Sequence, residues 1–295
     1  MVAPIDVMRL RQYGSELSIL LQQSKSKFRG TMTEKGGYRG ERVSPVNQIG
    51  EIQINERAHR IERVRPTEVD LARRWVKPRV FTGSTWSRDP IDVILTNMTM
   101  DGPYSDALRK GMNRRFDDVA IEAFEALALV GEQGDSSVAL PGSAVISTDL
   151  GGAGSDLNNA KLIGIRKYFE MQEADLDEEM IFMAISPQQS AALLGVNTTL
   201  SSDYVDGRPQ QTGKVPPMFG INFVVTNRLP KVGNVRTGYA WLMSGMHAAW
   251  WMDVEVTVDR IPEMHNAHLI QASASWNVTR LEEKKVVKVL MTEPA

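Results

Sequence analysis

Two of the four histidines, His265 and His268, lie three residues apart with Glu263 just before them. On a helix this spacing would place two imidazoles on one face, as a zinc site requires. Pro262 and the strand-like sequence that follows put them in a loop instead. No HExxH pattern occurs and no third ligand is evident. His247, inside MSGMHAAWW, reads as a packed or hydrogen-bonded residue. The chain has no cysteine, which excludes disulfides, thiolate metal sites and cysteine nucleophiles. The glycine-rich LGGAGSD lacks the lysine and Ser/Thr order of a phosphate loop, and no GxGxxG follows a strand. No GxSxG elbow occurs. Asp175, Asp177, Glu178 and Glu179 form an acidic run that reads as a solvated turn before it reads as a cation site. Trp250 and Trp251 are adjacent, so in a strand they point to opposite faces, which suits packing and not base stacking. No catalytic, cofactor-binding or metal-binding set emerges, and an enzyme is not the expectation.

Length and composition bound the kind of fold. The chain has 295 residues, 42% of them hydrophobic, enough for a substantial core in one large domain or two small ones. No apolar run approaches the roughly 18 residues of a membrane span. The start, MVAPIDVMRLRQ, lacks the order of a signal peptide, so the expected site of synthesis and residence is a cytoplasm. The net charge of −2 gives no global reason for nucleic-acid binding. Its distribution is uneven: residues 1–80 hold 16 Lys+Arg against 9 Asp+Glu, and the rest is acidic. One reading is chance variation among solvated faces. The other is a basic front that lies on the acidic surface of another copy.

The elements that would position any site centre on residues 104–130, the longest helical signal. Tyr104, Leu108, Met112, Phe116, Ala120, Phe124 and Leu127 recur at helical spacing, opposite Asp106, Arg109, Lys110, Arg114, Asp117 and Asp118. Pro103 suits the first turn, and Gly131 and Gly134 the end. A first helix is expected over 5–27. Residues 28–65 are polar, charged and glycine-punctuated, with partial alternation at Val43, Val46, Ile49, Ile52 and Ile54. They read as a long two-stranded excursion with a turn at Gly36-Gly37. Such a hairpin has no core of its own and must pack on something else. A surface loop is the plainer alternative. Residues 69–94 read as extended chain interrupted at Pro78 and Pro90. A helix over 157–171, a buried strand over 180–185 and a short helix capped by Ser186 with Pro187 at its first position follow. Further strands are expected over 219–226, 239–243, 251–259, 269–279 and 285–291, the two before the last alternating as half-buried antiparallel strands do.

This order of parts resembles the major capsid proteins of tailed bacteriophages, the Hong-Kong-97-type shell fold, in the group typical of short-tailed phages. The segments that carry it are LLQQSKSKFRG, like the N-arm entering the extended loop; PYSDALRKGMNRRFDDVAIEAFEAL, like the spine helix; and MIFMAISPQQSAALLG followed by MFGINFVVTNRLP, like the strand–helix–strand of the apical domain. YAWLMSGMHAAWW looks like the return strand. The resemblance implies an α+β fold with an N-arm helix (1–27), an extended β-hairpin loop (28–65), a peripheral domain (66–175 and 251–295) with spine helix 103–130, and an apical domain (176–250).

It further implies a shell subunit. Copies would form hexamers and pentamers that close into an icosahedral shell around double-stranded DNA, contacted non-specifically, with a portal at one vertex. No long helical segment precedes the N-arm, which implies a separate scaffolding protein; a processed chain is the alternative, against which Met1 speaks. Assembly would occur in the bacterial host cytoplasm, and the protein would end in the virion. Lys35 lies near the expected loop tip, but no partner for a covalent cross-link can be assigned and none is expected. Intersubunit contact residues are expected at Arg9, Arg11 and Lys25 on the first helix, at Lys35, Tyr38, Arg39 and Arg42 near the loop tip, and at Asp175, Asp177, Glu178 and Glu179 as acidic partners. The competing readings are a bacterial nanocompartment shell of the same fold, and a soluble α+β enzyme with an unrecognised site.

Overall fold

The long helix forms, but it ends five residues early. In the computed structural model, helix α1 runs Asp101–Glu125, about 38 Å at 1.5 Å per residue. Its stripe is buried as expected through Met112, Phe116, Val119, Ala120, Ala123 and Phe124. The structure describes residues 19–50, 52, 54, 56, 66, 68–69, 71–88, 101–152, 154–195, 213 and 215–293. They divide into two compact units, one from Met1–Lys25, Val80–Arg114 and Val254–Ala274, the other from Ser26–Arg79, Arg115–Asp253 and Ser275–Ala295.

The described strands before α1 are β1 (Thr33–Lys35), β2 (Asn47–Ile49), β3 (Leu71–Trp75) and β4 (Arg79–Arg88). After it come β5 (Ala128–Val130), β6 (Ser136–Val138), β7 (Val145–Ile146), α2 (Asn159–Met171), β8 (Ile181–Ile185), α3 (Pro187–Leu194) and β9 (Ile221–Val225). The chain closes with β10 (Lys231–Val232), β11 (Val235–Leu242), β12 (Met246–Ile261), β13 (Ala267–Arg280) and β14 (Val286–Thr292).

In the first unit, β4 alternates, and its inner face meets α1. A Cβ at Gly83 would lie 3.5 Å from Leu108 and 3.7 Å from Met112, so the glycine admits close contact. Asn113 donates to the Ser24 carbonyl at 2.9 Å, and Arg114 to the side chain of Gln22. The expected first helix is not found in its described part: residues 19–27 are irregular, with Leu20 and Leu21 exposed. Residues 5–18 of that helix lie outside the described residues.

The second unit holds a six-stranded sheet, β7-β14-β11-β8-β9 with β10 on β11. The apolar run of β8 is buried as its sequence requires, between antiparallel β11 and parallel β9. Ser186 caps α3 by accepting from Gln189 N, with Pro187 in the first turn. Leu162, Ile165 and Phe169 of α2 and Leu193 of α3 pack on this sheet with Met183, Ile185, Val287 and Val289. The expected apical boundary, 176–250, therefore divides one core. β14, which lies outside that expected boundary, pairs along seven residues with β11, from Val235↔Thr292 to Trp241↔Val286.

The same unit contains a four-stranded sheet, β2-β3-β5-β6. This sheet explains the early end of α1. Leu129 and Val130, apolar enough to prolong the helix, pair instead with Trp75 and Arg74 of β3. The buried Arg280 guanidinium donates to the Phe124 carbonyl in the last helical turn, and to the Val138 carbonyl at 3.2 Å. Gly131 and Gly134 belong to the β5–β6 turn. At Gly134 φ is 76° and a Cβ would come within 2.9 Å of the Trp75 ring, so only glycine fits.

The expected 28–65 hairpin is corrected likewise. β1 does not pair with β2; it runs parallel to β12, Thr33↔His247 to Lys35↔Ala249. β2 pairs antiparallel with β3, Asn47↔Arg73 to Ile49↔Leu71. The ribbon thus has its return strand beyond residue 65, and its far end lies outside the described residues.

Candidate assembly surfaces

The N-terminal approach to the fold is clamped on α1. Asp117, fully buried, accepts from the Ser26 hydroxyl and from the Lys27 backbone N–H at 3.1 Å. Phe28 follows as a plug: it is fully buried, stacks on Trp241 with centroids 5.7 Å apart and meets Phe124 at 6.2 Å. Trp241 Nε1 donates to the Thr31 carbonyl at 2.9 Å. Lys25, just before this clamp, is exposed. Arg9 and Arg11 lie outside the described residues.

The residues expected near a loop tip lie at the ribbon's root instead. Lys35 is in β1, and its ammonium stands 5.8 Å over the Tyr38 ring. Tyr38 donates its backbone N–H to Trp250 at 3.2 Å, and its hydroxyl is hydrogen-bonded to His247 Nε2 at 3.1 Å. Burial pushes the Tyr38 phenol up, and burial together with the Lys35 charge pushes His247 down to about 4. Arg42 is engaged within the chain by the Gln133 carbonyl at 2.7 Å and Asp135 at 3.2 Å. Arg39 is exposed. Gly36-Gly37, expected as a hairpin turn, is irregular chain lying beside Trp250 and Trp251, with φ 79° at Gly37. Those two tryptophans do point oppositely: Trp250 stacks on Phe116 at 5.1 Å and 9°, while Trp251 donates to the Gly40 carbonyl.

In the acidic run, Glu179 accepts from Ser244 at 2.6 Å and Lys285 at 3.3 Å, and Asp175 from the Asp177 backbone at 3.2 Å. Asp177 and Glu178 are exposed. None of the expected basic contact residues that are described forms an ion pair with this run in the chain. His265, at φ 51°, sits in the β12–β13 turn; His268 accepts from Arg260 at 3.2 Å.

Two further surfaces are exposed and apolar. The first is the β2–β3 ribbon. Ile49 and Leu71 are directly opposed in register, hence on one face, and are 70% and 76% exposed. Ile52 and Ile54 beyond them are 60% and 94% exposed. The root of this ribbon is held rigidly: Arg74 makes two 2.6 Å hydrogen bonds to Glu283, and Gln48 donates to the Leu281 carbonyl at 2.8 Å. The second is a groove of about 380 Å³ between α1, the β3–β4 joint and β13. Its floor is Val76, Val119, Ala123 and Val278, all buried, and Leu127 stands 61% exposed at its edge. Lys77, Arg79 and Glu122 form a polar rim, with Arg79 and Glu122 paired at 2.8 Å. The signal for the ribbon was present in Ile49, Ile52 and Ile54, isoleucines in a stretch too polar to bury them. Nothing local marks the groove.

A model of the family described as phage capsid protein matches residues 6–293. The chain belongs to that family. Its fold matches solved phage capsids across almost its full length. Against the capsid of cyanophage P-SCSP1u the TM-score is 0.77 at 12% identity, covering 98% of this chain and 94% of that one. Against cyanophage Pam1 it is 0.74 at 10%, covering 98% of each, and against Ralstonia phage GP4 0.72 at 11%, covering 100% and 98%. No curated protein sequence matches. The Hong-Kong-97-type α+β fold expected from the segment order is therefore the fold of this protein. As a phage capsid protein it is a structural component of the virion shell, built from copies of itself. Its functional sites are then surfaces, and among the described residues the exposed apolar ribbon and the groove are two of those left uncovered.

Proposed function

We propose that this phage capsid protein is the shell's repeating subunit, assembling through hexamers and pentamers into a closed icosahedral container for double-stranded DNA. Assembly takes place in the bacterial host cytoplasm around a separate scaffolding protein, with a portal at one vertex. One observation carries the reading beyond the family match: the Ile49–Leu71 pair with Ile52 and Ile54, large aliphatic side chains exposed on a rigidly rooted ribbon. Large aliphatic side chains left exposed on a ribbon mark an interaction site, and in a protein whose family builds shells the partner is another copy. Distributed contacts of this sort hold assemblies together without a catalytic residue.

Charged contacts add register and selectivity. Lys25, Arg39, Asp177 and Glu178 suit this role, since they are exposed and make no ion pair with the described residues; Arg9 and Arg11 are proposed with them. Lys35, Tyr38, Arg42, Asp175 and Glu179 also remain proposed contacts, through whatever surface their in-chain partners leave open.

The test is particle mass by light scattering with negative-stain images, for the chain alone and with its candidate scaffolding protein. Closed megadalton shells or rings of five and six are expected. A species that stays small under both conditions would overturn the proposal. DNA content of the shells then tests the packaged partner.

A further inference from the structure

We propose that His247 is a proton-operated latch on the incoming arm of the ribbon, residues 33–40. When the imidazole takes up a proton, β1 and the chain just after it come away from β12 while the rest of the subunit stays folded. The proposal concerns the single chain and stands apart from the shell reading above.

The arm is lightly fastened. β1 lies at the edge of the sheet β1-β12-β13-β4 and pairs with β12 along only three residues, Thr33↔His247 to Lys35↔Ala249. Beyond it, the Tyr38 backbone N–H donates to the Trp250 carbonyl at 3.2 Å, and Trp251 Nε1 donates to the Gly40 carbonyl at 3.0 Å. Thr33, Lys35, Gly36, Gly37, Arg39 and Gly40 are exposed. A segment that buries so little of itself opens locally, without the cores. The returning leg, β3, is tied down separately by the two Arg74–Glu283 bonds.

His247 lies buried beneath this arm, 2% exposed. Its Nε2 meets the Tyr38 hydroxyl at 3.1 Å, and its Nδ1 has no hydrogen-bond partner among the described residues. An imidazolium is a donor at both nitrogens, so a proton here would add an unmet donor and a charge shielded from water. From β1, the Lys35 ammonium repels that charge. From the chain after β1, the Tyr38 phenol is kept neutral, its pKa pushed up by burial. Ahead of β12, Lys285 and Glu179 pair with each other at 3.3 Å. Among the described residues, the charge that acts on the ring is that of Lys35.

The direction of the switch follows. Under the closed arm the ring stays neutral down to about 4, whereas in water it titrates near 6.5. The open form therefore binds the proton first, and opening is favoured as pH falls through this window. By linkage the opening constant rises about tenfold one pH unit below 6.5, and on the order of a hundredfold by 4.

Amide hydrogen exchange of the purified chain, corrected for the intrinsic effect of pH, reads this opening directly. Residues 33–40 should exchange about tenfold faster one unit below 6.5 than at neutral pH, with β8 and β11 unchanged. His247→Gln, which can still bond the Tyr38 hydroxyl but does not titrate, should show almost no rise. Should that variant not fold, Lys35→Gln at an exposed position takes its place. Without the repelling charge the closed ring titrates nearer 6.5, so the arm should respond less steeply than in the parent. Corrected exchange in 33–40 that is flat with pH, a rise shared equally by β8 and β11, or a variant as steep as the parent would each overturn the latch.

Discussion

Arg74 and Glu283 face each other with two 2.6 Å hydrogen bonds, their side chains only 9% and 15% exposed. The pair joins β3 to the turn between β13 and β14. In the same turn Lys285 reaches Glu179 at the entrance to β8. One turn thus ties the root of the ribbon to the six-stranded sheet. Removing one member of such a shielded pair leaves a charge without its partner, at a cost of about 3 kcal/mol. Glu283→Gln should lower subunit stability by about that amount in urea unfolding, and hydrogen exchange at the β2–β3 amides should rise. Unchanged exchange at those amides would show that the pair does not hold the ribbon.

Glu293 gives the second expectation. Its carboxylate, 5% exposed, accepts from Arg236 at 2.7 Å and from Ser186 at 2.6 Å. The Arg236 hydrogen bond holds the carboxyl below its ordinary 4.5, burial opposes this, and the Ser186 bond adds to the lowering. A depressed carboxylate stabilises the fold above its unfolded pKa and loses that contribution as pH falls through the folded one. Glu293→Gln should therefore cost about 2 kcal/mol at neutral pH, with the gap to the parent closing as pH drops below 4.5. Denaturant midpoints across pH would show it. A gap independent of pH would mean that shape, not charge, matters there.

His247 has the opposite electrostatic problem. It is 2% exposed, Lys35 is nearby, and its Nδ1 finds no partner among the described residues. The folded protein keeps it neutral down to about 4, while the unfolded chain takes up a proton near 6.5. Between these values the unfolded state binds more protons, so stability falls with falling pH, by about 3 kcal/mol over the full window. Replacing His247 by Gln, which can still bond the Tyr38 hydroxyl, should flatten the stability profile between pH 6.5 and 4. A profile as steep as the parent's would assign the slope to other groups.

What the sequence disclosed was periodic or locally chemical. The α1 stripe, the alternation of β12 and β13, and the Ser186-Pro187 helix start are written in neighbouring residues. What it hid was decided at a distance. Leu127 and Leu129 continue the helical pattern. The stop comes from Trp75 and from Arg280, 156 positions after Phe124. The ribbon's existence was legible in its coreless isoleucines, but its register was not, because Asn47↔Arg73 pairs across a long excursion. Lys35 and Tyr38 looked like tip residues beside a glycine turn until His247 and Trp250, about two hundred positions later, covered them. The groove joins three elements and has no sequence signature.

Asp117 makes the last expectation, since a buried carboxylate on the spine helix decides where the N-terminal segment leaves the fold. It accepts from Ser26 Oγ and Lys27 N, and Phe28 follows into the cleft between Phe124 and Trp241. Hydrogen bonds to a charged acceptor contribute about 1.5–3 kcal/mol each, so Asp117→Ala should loosen this segment first. The side chains of Lys25 and Lys27 are both exposed, but the Lys27 N–H is held by Asp117 and Phe28 is fully buried, so the clamp shields the Lys27–Phe28 trypsin site. Limited trypsin digestion of Asp117→Ala should add cleavage after Lys27 to cleavage after Lys25. Asp117→Asn, which keeps an acceptor oxygen, should show less. If both variants resisted cleavage after Lys27 as the parent does, the Phe28 plug alone would hold the segment and the carboxylate would have no part in directing it.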